Sequence, residues 1–102
     1  MAIKLITPQM KDLALEYLLS FNDSEVYPKT SEVVKYSGCL QFQVKMIFDE
    51  LENLDLISQT STSDYLIIEI KGKAYDFYAH GGFTAQEELL KANINKLGYE
   101  LD

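Results

Sequence analysis

The sequence predicts an α+β domain, and three observations predict it. Between Thr30 and Ile70 a short helical stretch, a glycine turn and a longer helical stretch are followed by two β-rich runs around a polar loop. Apolar residues also recur at helical spacing before and after this region. The chain has 102 residues, 47% of them hydrophobic and 25% charged, which is enough for one core and ordinary for a globular protein. We therefore expect a single domain over residues 1–102.

Thr7 before Pro8 is a helix start, because the threonine oxygen can accept an orphan backbone N–H and proline at the first helical position gives up no bond. Leu13, Ala14, Tyr17, Leu18 and Phe21 continue a helix over about residues 8–20, which Asn22-Asp23-Ser24 ends. Val26-Tyr27 precedes Pro28 and is restricted to a short extended piece. Thr30 or Ser31 can cap a second helix that ends at Ser37-Gly38. The third helix is expected from Leu40 to Leu54. On it Leu40, Val44, Ile47, Leu51 and Leu54 share one sector, the expected buried face, with Phe48 at its margin.

Leu56–Gln59 and Tyr65–Ile70 read as a hairpin joined by the polar stretch Thr60–Asp64. A helix through Ala74, Tyr75, Phe77 and Tyr78 stops at Gly81-Gly82. Thr84 and Glu87 then have capping-box spacing, and a last helix is expected over about residues 84–97. Leu90, Ile94, Leu97 and Leu101 form a stripe along it, suited to the chain's own first helix or to a two-fold dimer seam.

Charge and motifs narrow the function. Nine basic residues, all lysine, stand against sixteen acids, for a net charge of −7. Only residues 29–48 are basic, with Lys29, Lys35 and Lys45 against Glu32, and the acids Asp49, Glu50, Glu52 and Asp55 follow directly. Steering of the whole molecule onto polyphosphate is unfavourable, although a local patch can act within a screening length of about 10 Å. One cysteine, Cys39, fits a reducing compartment. No apolar run is long enough to span a membrane and the first residues lack a signal-peptide pattern, so a cytoplasmic location is expected. One histidine, His80, and one cysteine make no usual zinc set, and neither has a catalytic motif around it. No enzyme activity, cofactor, metal or small molecule is expected.

Ser31-Glu32-Val33-Val34, Val44, Phe48 and the run Leu51-Glu52-Asn53-Leu54-Asp55-Leu56-Ile57 resemble small bacterial winged-helix proteins, whose reading helix ends in a similar run with glycine where Asp55 stands. Ile68 to Phe77 resembles their strand-to-helix junction, and Gly81-Gly82-Phe83 is similar to a tail in members of unassigned function. The resemblance implies a winged helix-turn-helix core over about residues 7–80 with a C-terminal helical extension. It also implies one of two roles, since such folds include DNA-binding regulators and modules that contact only proteins.

For duplex DNA, Gln41, Gln43 and Lys45 in the first half of helix three, with Lys29 and Lys35 upstream, are candidate contacts. Against it stand the absence of arginine and a hairpin tip without a cation. Phe42 and Met46 form a one-turn pair on the side of helix three away from its core stripe, which suits a protein contact if they are exposed. The leading expectation is therefore a binding module for a protein partner or a second copy through Phe42 and Met46 or through Leu90, Ile94 and Leu97. Duplex DNA is the alternative. Exposure of Phe42 and Met46 favours the protein partner, and burial favours DNA.

Overall fold

Pro8 opens the first helix, and the hydroxyl of Thr7 accepts the Met10 N–H at 3.1 Å, as its cap position predicts. A computed structural model describes the backbone of residues 4–101 and the side chains of residues 4–91. The elements run α1 (Pro8–Leu19), β1 (Glu25–Val26), α2 (Thr30–Ser37), α3 (Gln41–Asn53), β2 (Ile57–Ser61), β3 (Leu66–Ile70), α4 (Gly72–Ala79) and α5 (Gly82–Leu101). The architecture is α+β, with five helices and a three-stranded sheet among the described residues, as the element order predicts.

The sheet is antiparallel with strand order β1-β3-β2, so the extended piece before Pro28 pairs with the far strand of the hairpin. Val26 faces Ile68, and Ile57 faces Ile70. This register puts four branched residues on one face, where they are buried against Leu15 and Leu18 of α1 and Ile47, Phe48 and Leu51 of α3. Each such side chain taken from water stabilises the fold by about 1.5–3 kcal/mol, so the core holds α3 and the hairpin in fixed relation.

Several boundaries differ from expectation for physical reasons. Lys29, with extended angles, occupies the cap position of α2, and Thr30 and Ser31 already lie inside the helix. Leu40 and Leu54 are each 39% exposed, because they flank α3 rather than belong to it and their side chains no longer follow its wheel. The strand pairing runs on to Ser61 and Leu66, so the turn is Thr62–Tyr65, closed by the Thr62 N–H donating to the Tyr65 carbonyl. Asp55, where glycine is usual in the resembled run, adopts a left-handed φ of 64° and forms an ion pair with Lys71.

The last helix starts at Gly82, before the expected Thr84, and continues past Gly98 to Leu101. Its N-terminus is capped across the fold. Asp12 of α1 accepts the Phe83 N–H at 2.7 Å and the Thr84 N–H at 3.0 Å, and the Thr84 hydroxyl also donates to Asp12. Thr84 therefore does not serve as the capping acceptor its spacing suggests. Phe83 is buried with its ring edge-on to Phe77 at 4.9 Å, which fastens the start of α5 onto α4.

Candidate nucleic-acid interface

The turn between α2 and α3 is made by Gly38, whose φ of 78° lets the chain leave α2 in the left-handed conformation while its N–H bonds the Val34 carbonyl. Cys39 is buried beneath this turn beside the Ser37 hydroxyl, which donates to the Val33 carbonyl at 2.7 Å. Leu40 then carries the chain into α3.

Gln43 departs from expectation. Proposed from the sequence as a DNA contact, it is only 2% exposed. Its Oε1 accepts the Leu40 N–H at 2.8 Å and its Nε2 donates to the Lys4 carbonyl at 2.8 Å. Both ends of the amide are thus used to cap α3 and to hold the N-terminal segment against it. It cannot reach a base edge without breaking these bonds.

The outward face of the first half of α3 carries Gln41, Phe42, Lys45 and Met46. All four are exposed, Phe42 by 66% and Met46 by 52%. Beside them lies a groove of about 930 Å³ between this half of α3, the approach to α2 and the β2–β3 hairpin. Val44 and Phe48, both buried, contribute to its lining with Leu66, and Phe42, Tyr27 and Tyr65 also border it. The two tyrosine rings meet edge to face at 5.3 Å. Lys29, Gln41 and Lys45 are part of the polar lining, with Thr30, Gln59, Ser61 and the acid Asp64, so three of the five candidate DNA contacts converge on one groove from two separate elements. Lys35 is exposed on α2 but does not line it.

Gln59, which no pattern in the sequence singles out, ties the hairpin to α3. Its Nε2 donates to Asp49 Oδ1 at 3.0 Å and to Glu52 Oε1 at 3.2 Å, and its backbone N–H donates to Glu52 Oε2 at 2.9 Å. The Gln59 amide first, and then Lys45 at 3.3 Å, hold the Asp49 carboxyl below the usual carboxylate range. The lysine nearest the outward face is therefore already partly engaged by an acid one turn along the helix.

Elsewhere, Leu89 and Leu90 are exposed beside a second groove of about 670 Å³ that Ile6, Pro8 and Phe83 help to line. The side chains of Ile94 and Leu97 lie outside the described residues. His80 is exposed at the end of α4, with Nδ1 2.7 Å from the Asp76 carbonyl, while Cys39 is enclosed by the core. A nucleophile at Cys39 would have no access to substrate. Among the described residues, no three histidine, cysteine or carboxylate side chains are grouped to hold a metal, and no helix is long and apolar enough to cross a membrane.

No protein-family model matches the chain, and no curated protein sequence matches it. Its fold is similar to that of solved structures, among them the following two. One is Sso10a-2, a DNA-binding protein from Sulfolobus solfataricus, with a TM-score of 0.60 and 17% identity over 96% of this chain and 98% of that one. The other is MepR, a transcription regulator of the Staphylococcus aureus multidrug efflux pump MepA, with a TM-score of 0.55 and 16% identity over 91% of this chain and 78% of that one. The fold is a winged helix. In its terms α2 and α3 are the helix-turn-helix, β2 and β3 form the wing, and α5 is the C-terminal extension. At such identities the likeness establishes the winged-helix fold, and the site must be argued from its own residues.

Proposed function

We propose that this winged helix binds duplex DNA, entering the major groove with the first half of α3. One observation carries the reading: Lys29, Gln41 and Lys45 line a single groove beside the outward face of α3, at the end of the helix that such folds present to base edges. The positive end of the helix dipole points the same way. The DNA-binding and regulatory descriptions of the two fold neighbours support the same choice. In this reading Gln41 contacts base edges, and Lys29, Lys35 and Lys45 contact phosphates.

Binding is measured by fluorescence anisotropy on a labelled duplex across a salt series. Three neutralised phosphates give a slope of about −3 in log affinity against log salt, and Lys45→Ala lowers it by about one. No detectable binding to any duplex at low salt refutes the proposal.

Exposure of Phe42 and Met46 supports a second reading, contact with a protein partner or a second copy, and Leu89 and Leu90 offer another apolar surface for it. Light scattering tests the self-association form. A chain that stays monomeric at high concentration, with or without Leu90→Glu, removes it.

A further inference from the structure

Phe42 and Met46 are a conspicuous feature of a face proposed to meet DNA, because large apolar side chains gain nothing from phosphate. The floor of the major groove nevertheless holds one apolar group, the C5-methyl of thymine, which phenylalanine is able to contact. Resting on the duplex-DNA reading, we propose that α3 selects A·T-rich major groove, with Phe42 and Met46 covering thymine methyl groups while Gln41 pairs with an adenine edge.

Four observations converge on this occupant. Phe42 and Met46 are 66% and 52% exposed, so neither is committed to the core. They are four residues apart on α3, which puts their side chains about 5–6 Å apart at Cβ on one face, a spacing that can straddle neighbouring base pairs. Gln41 is exposed immediately before them and lines the same groove as Phe42, and a glutamine amide offers the donor and acceptor that adenine N7 and N6 require. The chain contains no arginine, the residue that most often reads guanine, and Lys45, the lysine on this face, is assigned to a phosphate. The face therefore has the means to recognise A·T pairs and lacks the usual means to recognise G·C pairs. Of the charged residues lining the groove, Lys29 and Lys45 outnumber Asp64, which leaves it net positive toward the flanking phosphates.

The test uses the full chain and three labelled duplexes of equal length at low salt: one A·T-rich, the same sequence with every thymidine replaced by deoxyuridine, and one G·C-rich. Deoxyuridine keeps the hydrogen-bonding edge and removes only the methyl group. Each methyl taken up by Phe42 or Met46 is expected to be worth about fourfold in affinity, so the deoxyuridine duplex binds roughly four- to fifteenfold more weakly. The G·C duplex binds more weakly still. In the F42A/M46A double variant affinity for the thymidine duplex falls to that for the deoxyuridine duplex, so the difference between the two disappears; a difference that persists in this variant overturns the assignment to Phe42 and Met46. Equal affinity of the native chain for thymidine and deoxyuridine duplexes overturns this inference and leaves the DNA reading standing. Failure to bind any of the three overturns both.

Discussion

Replacing Gln43 by leucine separates a structural role from a DNA-reading one. Leucine keeps nearly the same volume, so the core around Val44 and Ile47 is not hollowed. It loses the acceptor for the Leu40 N–H and the donor to the Lys4 carbonyl, both at 2.8 Å. Each bond contributes about 0.5–1.5 kcal/mol, and the two together give an expected loss of about 1–3 kcal/mol. For a domain of this size that lowers the melting temperature by roughly 5–15 °C. Urea denaturation followed by circular dichroism should show a lower midpoint at unchanged slope, since the surface exposed on unfolding stays the same. Gln41→Leu, on the exposed neighbouring position, should stay within about 0.5 kcal/mol of the native chain. A Gln43→Leu midpoint equal to that of the native chain, or a larger loss from Gln41→Leu, refutes the assignment of Gln43 to capping.

Three further outcomes follow from particular contacts. Gly82→Ala should lower stability by about 1–3 kcal/mol, read as a fall in melting temperature. It puts a Cβ against the Asp12 carboxylate at a residue with φ of 62°, and an unchanged melting temperature would show that Asp12 does not hold α5 there. Burial first, and then the hydrogen bond to the Glu32 carboxylate, push the Tyr17 phenol up to about 12 from an ordinary 10.0. A raised folded value means its contribution is fully present below pH 10 and is lost as pH rises through 12, and Tyr17→Phe should flatten that alkaline fall in denaturation midpoint. Asp49→Asn frees Lys45 and removes an anion beside the groove, so duplex affinity should rise about two- to fivefold at low salt and the gain should fade as salt is added. An affinity that falls instead would place Asp49 among the contacts.

Much of the fold was legible because the signals were local. The cap at Thr7, the left-handed Gly38 and the apolar sector of α3 are all decided within one or two turns of chain. What was not legible depends on partners far apart in sequence. Asp12 caps a helix 71 residues away, Gln43 bonds a carbonyl 39 residues away, and β1 finds its partner in β3. Gln43 did carry a readable sign. With Leu40 as zero it sits near 300°, as close to the buried centre near 10° as Phe48 near 80°, so its angle indicated burial while its polarity suggested solvent. The exposure of Phe42 and Met46 matches their position on the wheel, whereas the grouping of Lys29 with Gln41 and Lys45 required the hairpin and the approach to α2 to be placed around α3.

The electrostatic objection to DNA also changes once the chain is folded. Along the sequence, the acids from Asp49 to Asp55 directly follow the basic stretch and outweigh it. In three dimensions helical rotation and pairing disperse them. Glu50 turns back to α1, where it pairs with Lys11 at 2.9 Å, and Asp55 pairs with Lys71 beyond the end of α3. Glu52 accepts two bonds from Gln59, which leaves Asp49 as the acid of this run directly paired with a lysine of the outward face. The first half of α3 is thus cationic and apolar while the second half is acidic and engaged with the rest of the fold. That polarity favours an approach led by the N-terminal end of the helix, because a helix lying flat along the groove would bring Asp49 and Glu52 up to the phosphates.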